Sequence, residues 1–251
     1  MMRKYGLIGY PLGHSFSKKY FAGKFLRENI SDCSYENYPV ESITMLPRLL
    51  SDEPELSGLN VTIPYKTDVM RFLSQIDEEA ASVGAVNVLK IRREGGELKI
   101  SGFNSDIKGI SDSLNSIMRP EVKKAIILGT GGSSKAVSHV LLKKGITCTL
   151  VSRRHQPGCL TYKDLTPEII RGTPLIINTT PLGMFPDIFS YPDLNYSLLN
   201  ESHILFDLVY NPETTLFLKK GQERGCTVLN GLKMLVLQAE RSWEIWNDDS
   251  L

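Results

Sequence analysis

Lys124-Ala125-Ile126-Ile127-Leu128-Gly129-Thr130-Gly131-Gly132-Ser133-Ser134 decides the architecture. An apolar run this short, closed by a glycine, reads as a strand buried on both faces, which is the pattern of a parallel sheet. Helical spacing then runs from Ser134 to Lys144, so the glycine turn leads from strand into helix, and Thr147 to Val151 reads as the next strand. That is a complete βαβ unit. Pro174 to Asn178, Ile204 to Leu208 and Val228 read as further strands, with a helix over Thr214 to Arg224. The result is a doubly wound α/β domain.

Glycines at such a turn let the backbone approach a pyrophosphate, and the helix amino terminus offers unpaired N–H groups and a favourable dipole. Gly129, Thr130, Gly131, Gly132 and Ser133 are therefore candidate cofactor contacts; the alternative is a tight turn that binds nothing. Ser134 stands where the usual fingerprint has its third glycine, and its side chain is small enough for close helix packing. The second strand ends in Ser152-Arg153-Arg154, where a fold selecting NAD usually carries an acid for the ribose 2′-hydroxyl. Guanidinium matches a 2′-phosphate in charge and fork geometry, so the cofactor expected is NADP; the alternative is a pair of arginines on a solvated loop.

Upstream, Tyr5 to Gly9 reads as a buried strand, Lys18 to Glu28 as a helix that Ser17 would cap, and Gly58 to Ile63 as a second strand stopped by Pro64. Thr67 to Leu73 and Ile107 to Ile117 read as helical, and Val86 to Ile91 pairs with Leu98 to Gly102 around Glu94-Gly95-Gly96. Leu232 to Trp246 is apolar enough for a packed helix. A chain of 251 residues with this change of pattern after Arg119-Pro120 favours two domains.

Lys and Arg together number 29 against 28 Asp and Glu, a net charge of +1, which gives no electrostatic reason to expect a nucleic acid or an anionic membrane as partner. Cys33, Cys148, Cys159 and Cys226 are scattered without metal-binding or paired spacing, so no metal is expected and the thiols suit a reducing compartment. No run approaches the ~20 apolar residues needed to span a bilayer, and the first residues lack the apolar length of a signal peptide; a cytoplasmic protein is expected.

Gly58-Leu59-Asn60-Val61-Thr62-Ile63-Pro64-Tyr65-Lys66 delivers one lysine just past a strand. Gly84-Ala85-Val86-Asn87-Val88-Leu89 and Gly102-Phe103-Asn104-Ser105-Asp106 each add an amide or a carboxylate at a strand end. Alone, Lys66 is equally a solvated lysine and Asp106 a helix cap. Together with the glycine turn, these segments resemble the shikimate dehydrogenase family along nearly the whole chain. The resemblance implies a substrate-binding α/β domain over residues 1–108, completed by the terminal helix 232–251, and a Rossmann-like NADP domain over 109–231.

The resemblance also implies reversible NADPH-dependent reduction of 3-dehydroshikimate to shikimate, in aromatic amino-acid biosynthesis. Lys66 becomes the general acid/base and Asp106 its orienting partner, with a share of Asp106 in proton transfer left open. Substrate contacts implied are Ser15 and Ser17 on the carboxylate, with Asn60, Thr62, Asn87, Tyr210 and Gln238 around the ring, and His14 near the rim. Lys18 and Phe21 occupy positions where the family usually has proline and histidine. Thr179, Thr180, Leu208 and Gly231 complete the implied cofactor contacts. The partner implied is a small molecule, with the chain acting as monomer or homodimer. Two relatives of that reading stay open: a quinate/shikimate dehydrogenase using NAD or NADP, and a catalytically silent ligand sensor on the same fold.

Overall fold

The computed structural model describes residues 2–12 and 15–251. His14 lies outside the described residues. The chain divides into two compact units, one of residues 1–106 with 238–251 and the other of residues 107–237. Each is an α/β unit around its own six-stranded sheet.

In the first unit the order is β1 (Arg3–Gly9), α1 (Phe16–Arg27), β2 (Cys33–Pro39), α2 (Leu46–Asp52), β3 (Leu56–Val61), β4 (Gln75–Ile76), α3 (Glu78–Val83), β5 (Val88–Glu94) and β6 (Glu97–Phe103). The sheet runs β2-β1-β3-β5-β6-β4. β2, β1 and β3 are parallel, whereas β5 pairs antiparallel with both β3 and β6. The hairpin expected around Gly95-Gly96 supplies that reversal. β2, α2, β4 and α3 have no counterpart in the sequence reading. β2 is the instructive omission, because Cys33-Ser34-Tyr35-Glu36-Asn37-Tyr38-Pro39 is largely polar and buries only Tyr35 fully. Hydrophobic periodicity has little to report there.

One face of this sheet packs Ile8, Leu46, Leu50, Leu59 and Leu89 into a core. The other packs Tyr5, Phe21, Phe25 and Tyr35 against Ile245 and Trp246. Phe21 stacks on Tyr35 with ring centroids 4.6 Å apart. It is a core residue rather than part of a ligand rim, and Lys18 turns outward to Glu36. Those two departures from the family pattern therefore have local structural reasons.

The remaining elements are α4 (Asp106–Asn115), β7 (Lys124–Leu128), α5 (Gly132–Lys143), β8 (Thr147–Ser152), β9 (Cys159–Thr161), α6 (Pro167–Arg171), β10 (Leu175–Asn178), β11 (Ile204–Asp207), α7 (Leu216–Gln222), β12 (Thr227–Leu229) and α8 (Leu232–Asn247). The second sheet is entirely parallel, in the order β12-β11-β10-β7-β8-β9. Counted from β7, this is the doubly wound order in which the chain reverses direction between β7 and β10. Ile126, Ile127, Leu128, Ile176 and Ile177 are wholly buried there, as strands covered on both faces require. β9 and α6 are not legible in the sequence, because each is short and carries few apolar residues.

Candidate active site

Lys66 lies in the turn that follows β3, and its backbone is pinned where Val86 N–H donates to Lys66 O at 2.7 Å. Asp106 is the first residue of α4. Between them Lys66 Nζ donates to Asp106 Oδ2 at 2.6 Å, with the lysine side chain 14% exposed and the aspartate 2%. A charged pair this enclosed is screened far less than a surface ion pair, and the ammonium keeps hydrogens for a second acceptor. Two residues far apart in sequence thus form an enclosed lysine–carboxylate pair with access to solvent on the lysine side.

Next to this pair stands a buried net of neutral groups. Asn87 Oδ1 accepts from Ser105 N–H at 2.7 Å and from Ser105 Oγ at 3.3 Å. A backbone N–H can only donate, so the amide orientation of Asn87 is fixed and its NH₂ points away, 3.4 Å from Gln238 Oε1. One N–H remains for a ligand. Asn60 is spent differently. Its Oδ1 accepts from Tyr35 OH at 2.8 Å, and its NH₂ donates to Ser242 Oγ at 2.9 Å and to Asn87 O at 3.3 Å. Only the oxygen of Asn60 has capacity left, so this residue shapes the site more than it donates to it.

Thr62 follows the last residue of β3, two positions beyond Asn60, and its backbone N–H donates to Ile8 O at 2.9 Å. Ser15 caps α1, its Oγ accepting from Lys18 N–H at 3.3 Å. The cap expected at Ser17 is corrected by this: the helix starts earlier, because Ser15 holds the extended backbone of a cap while Ser17 is already within the first turn. Capping uses a lone pair of Ser15 and leaves its O–H free to donate. Ser17 lies beside the Tyr35 hydroxyl, whose pKa burial pushes well above the usual phenol range. Below them Lys24, a buried residue of α1, donates to Glu28 and Glu240 at 2.7 Å each and ties α1 to α8.

In the second unit the glycine turn sits where the sheet order reverses. Gly129 has φ +114°, and a Cβ there would lie 2.6 Å from Thr179 Oγ1 and 3.0 Å from Thr180 Cγ2, so only glycine fits. Around Gly131, by contrast, a Cβ would meet nothing within 4 Å. Gly131 also caps α5 without any side-chain hydrogen bond. Open space over an uncapped helix amino terminus is what a pyrophosphate needs, so the residues present fit a dinucleotide. Ser134 is buried and its Oγ donates to Gly131 O at 2.6 Å, while Thr130 Oγ1 accepts from Gln156 at 3.2 Å.

The loops after β10 and β11 share one buried anchor, Asp207. Its Oδ1 accepts from Asn178 Nδ2 at 2.9 Å and Val209 N–H at 3.0 Å, and its Oδ2 accepts from Thr215 Oγ1 at 2.6 Å. Burial pushes its pKa up to about 6, against the pull of those three donors. Asn178 passes the anchorage on, its Oδ1 accepting from Thr180 N–H at 3.1 Å and Thr180 Oγ1 at 2.6 Å. Thr179 Oγ1 donates to Leu128 O at 2.7 Å. Both threonine hydroxyl protons are therefore committed inward. Gly231 and Leu208 come together: a Cβ on Gly231 would lie 2.1 Å from Leu208 O. Tyr210, in the loop after β11, is half-buried, and burial raises its pKa.

Ser152 ends β8, and its Oγ accepts from Arg154 N–H at 3.3 Å, which turns the chain so that Arg153 and Arg154 are exposed. A cavity of about 440 Å³ opens beside Arg153, walled by Tyr162, Lys163, Leu182, Tyr191 and Asp193. Tyr162, in the wall of this cavity, has a buried hydroxyl with no hydrogen-bond partner. Of the histidines, His203 is buried, accepting from Asn200 N–H at Nδ1 (3.2 Å) and facing Ile170 O with Nε2 (3.1 Å).

A family model described as the shikimate dehydrogenase substrate binding domain matches residues 7–89. A shikimate dehydrogenase (NADP(+)) of Clostridium beijerinckii is 37% identical, over 100% of this chain and 94% of that one. The chain belongs to the shikimate dehydrogenase family. Among solved structures, the chorismate mutase/shikimate 5-dehydrogenase fusion protein of Clostridium acetobutylicum is 36% identical with a TM-score of 0.85, covering 99% of this chain and 92% of that one. The shikimate 5-dehydrogenase of Thermus thermophilus, solved with NADP(H) and shikimate, is 28% identical with a TM-score of 0.85, covering 98% and 94%.

Ser105, Ser242, Tyr35, Asn178, Asp207 and Thr215 are not among the site residues that the sequence of this family member singles out. Some leave a signal. Ser242 follows Gln238 by one helical turn, and Asp207 is an acid closing an otherwise apolar strand. Tyr35 leaves none, since its strand lacks a readable period.

Proposed function

We propose that the chain is an NADP-dependent shikimate dehydrogenase, interconverting 3-dehydroshikimate and shikimate. It acts on a CH–OH group and serves chorismate and aromatic amino-acid biosynthesis. The observation that carries this reading is the enclosed Lys66–Asp106 pair, 2.6 Å long, in a chain of this family. A silent sensor on the same fold has no need of it.

When bound, NADP(H) supplies or accepts the hydride. In the reducing direction the Lys66 ammonium gives a proton to the carbonyl oxygen, and in the oxidising direction the amine takes the hydroxyl proton. Asp106 holds the amine at the reacting oxygen. Asn87 donates its remaining N–H to the substrate, Ser15 and Ser17 hold the carboxylate, and Thr62, Asn60, Gln238 and Tyr210 border the ring.

Residues 1–108 with 232–251 form the substrate domain and 109–231 the cofactor domain. On the cofactor side Gly129, Thr130, Gly131, Gly132 and Ser133 hold the pyrophosphate. Ser152, Arg153 and Arg154 take the 2′-phosphate, and Thr179, Thr180, Leu208 and Gly231 line the ribose and nicotinamide. No helix among the described residues is long and apolar enough to cross a membrane. We place the enzyme in the cytoplasm as a monomer or homodimer.

Nicotinamide absorbance with shikimate or quinate, against NADP or NAD, tests the reading. Shikimate with NADP should give the largest kcat/KM. Quinate directs its carboxylate differently from the ring, and a displacement near 1 Å at the reacting atoms costs about 10²-fold. Equal kcat/KM for the two acids would favour a quinate/shikimate enzyme, and no turnover would favour a sensor.

A further inference from the structure

We propose that Ser242 of α8 is a positioning residue for the substrate, setting the aim of Asn60 and Asn87 through its hydroxyl without meeting the ligand. The inference rests on the reading of the first unit as the shikimate-binding domain.

Ser242 is wholly buried. Its Oγ stands 2.9 Å from Asn60 Nδ2, 2.9 Å from Gln238 O and 3.2 Å from Ser105 Oγ. A serine hydroxyl has one proton and two lone pairs. It accepts from Asn60, because an amide NH₂ can only donate, and gives its proton to Gln238 O or Ser105 Oγ. Ser105 in turn fixes the Asn87 amide. One hydroxyl thus connects three segments: β3 through Asn60, the residue before α4 through Ser105, and α8 itself. Tyr35 OH anchors the opposite end of the Asn60 amide.

A purely structural hydroxyl would affect stability alone. A positioning one acts on substrate affinity and leaves the cofactor and proton transfer largely unaffected, because no hydrogen bond among the described residues joins the Lys66 or Asp106 side chain to the net, although Ser105 precedes Asp106 in the chain. A partly satisfied buried net also relaxes as a unit, so changes at its two ends must couple.

The test is steady-state oxidation of shikimate by NADP in wild type, Ser242→Ala, Tyr35→Phe and the double variant, with Tm for each. Alanine suits a helix interior, so Ser242→Ala should fold. We expect its shikimate KM to rise about tenfold, as loss of one hydrogen bond in the aim of a binding group allows, with kcat within about twofold and the NADP KM unchanged. The double variant should raise KM by clearly less than the product of the single effects. An unchanged shikimate KM in active Ser242→Ala overturns the proposal, as do multiplicative effects in the double variant or a parallel rise in the NADP KM. No shikimate turnover by the wild type overturns the functional reading and this proposal with it.

Discussion

The two units fix their strand-end loops by opposite means. In the first, Asn60, Asn87, Ser105 and Ser242 form a net of uncharged groups. In the second, the loops after β10 and β11 converge on the buried carboxylate of Asp207. The difference follows from what faces each hub. Ser242 meets a donor on one side and a carbonyl on the other, so a group that both gives and accepts fits. Asp207 meets an amide NH₂, a backbone N–H and a hydroxyl, three donors that only an acceptor satisfies. A neutral net is indifferent to pH near neutrality, whereas a buried carboxylate couples its loops to protonation.

Beside the neutral net of the first unit stands the charged Lys66–Asp106 pair, and its removal should produce the largest effect. Lys66→Ala should lower turnover by about 10²–10⁴-fold, the usual worth of a positioned proton carrier, with NADP(H) affinity nearly unchanged. Asp106→Asn should move turnover in the same direction. Near-normal kcat in folded Lys66→Ala would place proton transfer elsewhere.

The second test addresses the contrast of hubs directly. With its pKa raised to about 6, Asp207 holds its proton more firmly folded than unfolded. Its contribution therefore falls as pH rises from about 4 to about 6, by ~3 kcal/mol, and is level above that. In denaturant titrations at pH 4 and pH 7, wild type should change by ~3 kcal/mol in the destabilising direction relative to Asp207→Asn, the other carboxylates contributing equally to both. Ser242→Ala should run parallel to wild type. If Asp207→Asn also runs parallel, the carboxylate titrates outside this window and the contrast fails.

A smaller effect is expected at the exposed arginines. Changing Arg153 and Arg154 together to glutamine should weaken NADP at least about tenfold relative to NAD, because one charge-assisted contact to the 2′-phosphate is worth roughly 1.5–3 kcal/mol. Equal weakening of both cofactors, read by fluorescence titration, would move these side chains from the 2′-phosphate to the loop or pyrophosphate.

Lys124 to Ser134 determined the parallel sheet and its glycine turn unaided, because an apolar strand between two covering layers and a turn requiring Gly129 are both local demands on sequence. The segments carrying Lys66, Asn87 and Asp106 could be placed at strand ends and loops by the same logic, but their roles came from the family resemblance, since alone Lys66 reads equally as a solvated lysine and Asp106 as a helix cap. The polar strand around Tyr35 was not, since it is stabilised by pairing with β1 rather than by its own periodicity. Only the tertiary structure decided that Ser15 and not Ser17 caps α1, that Phe21 belongs to the core, and that Asn60 has its amide hydrogens spent while Asn87 keeps one. Those outcomes depend on donors and acceptors brought together from distant positions, as Ser242 and Asn60 are. A hydrogen-bond ledger closes only when every partner is in place.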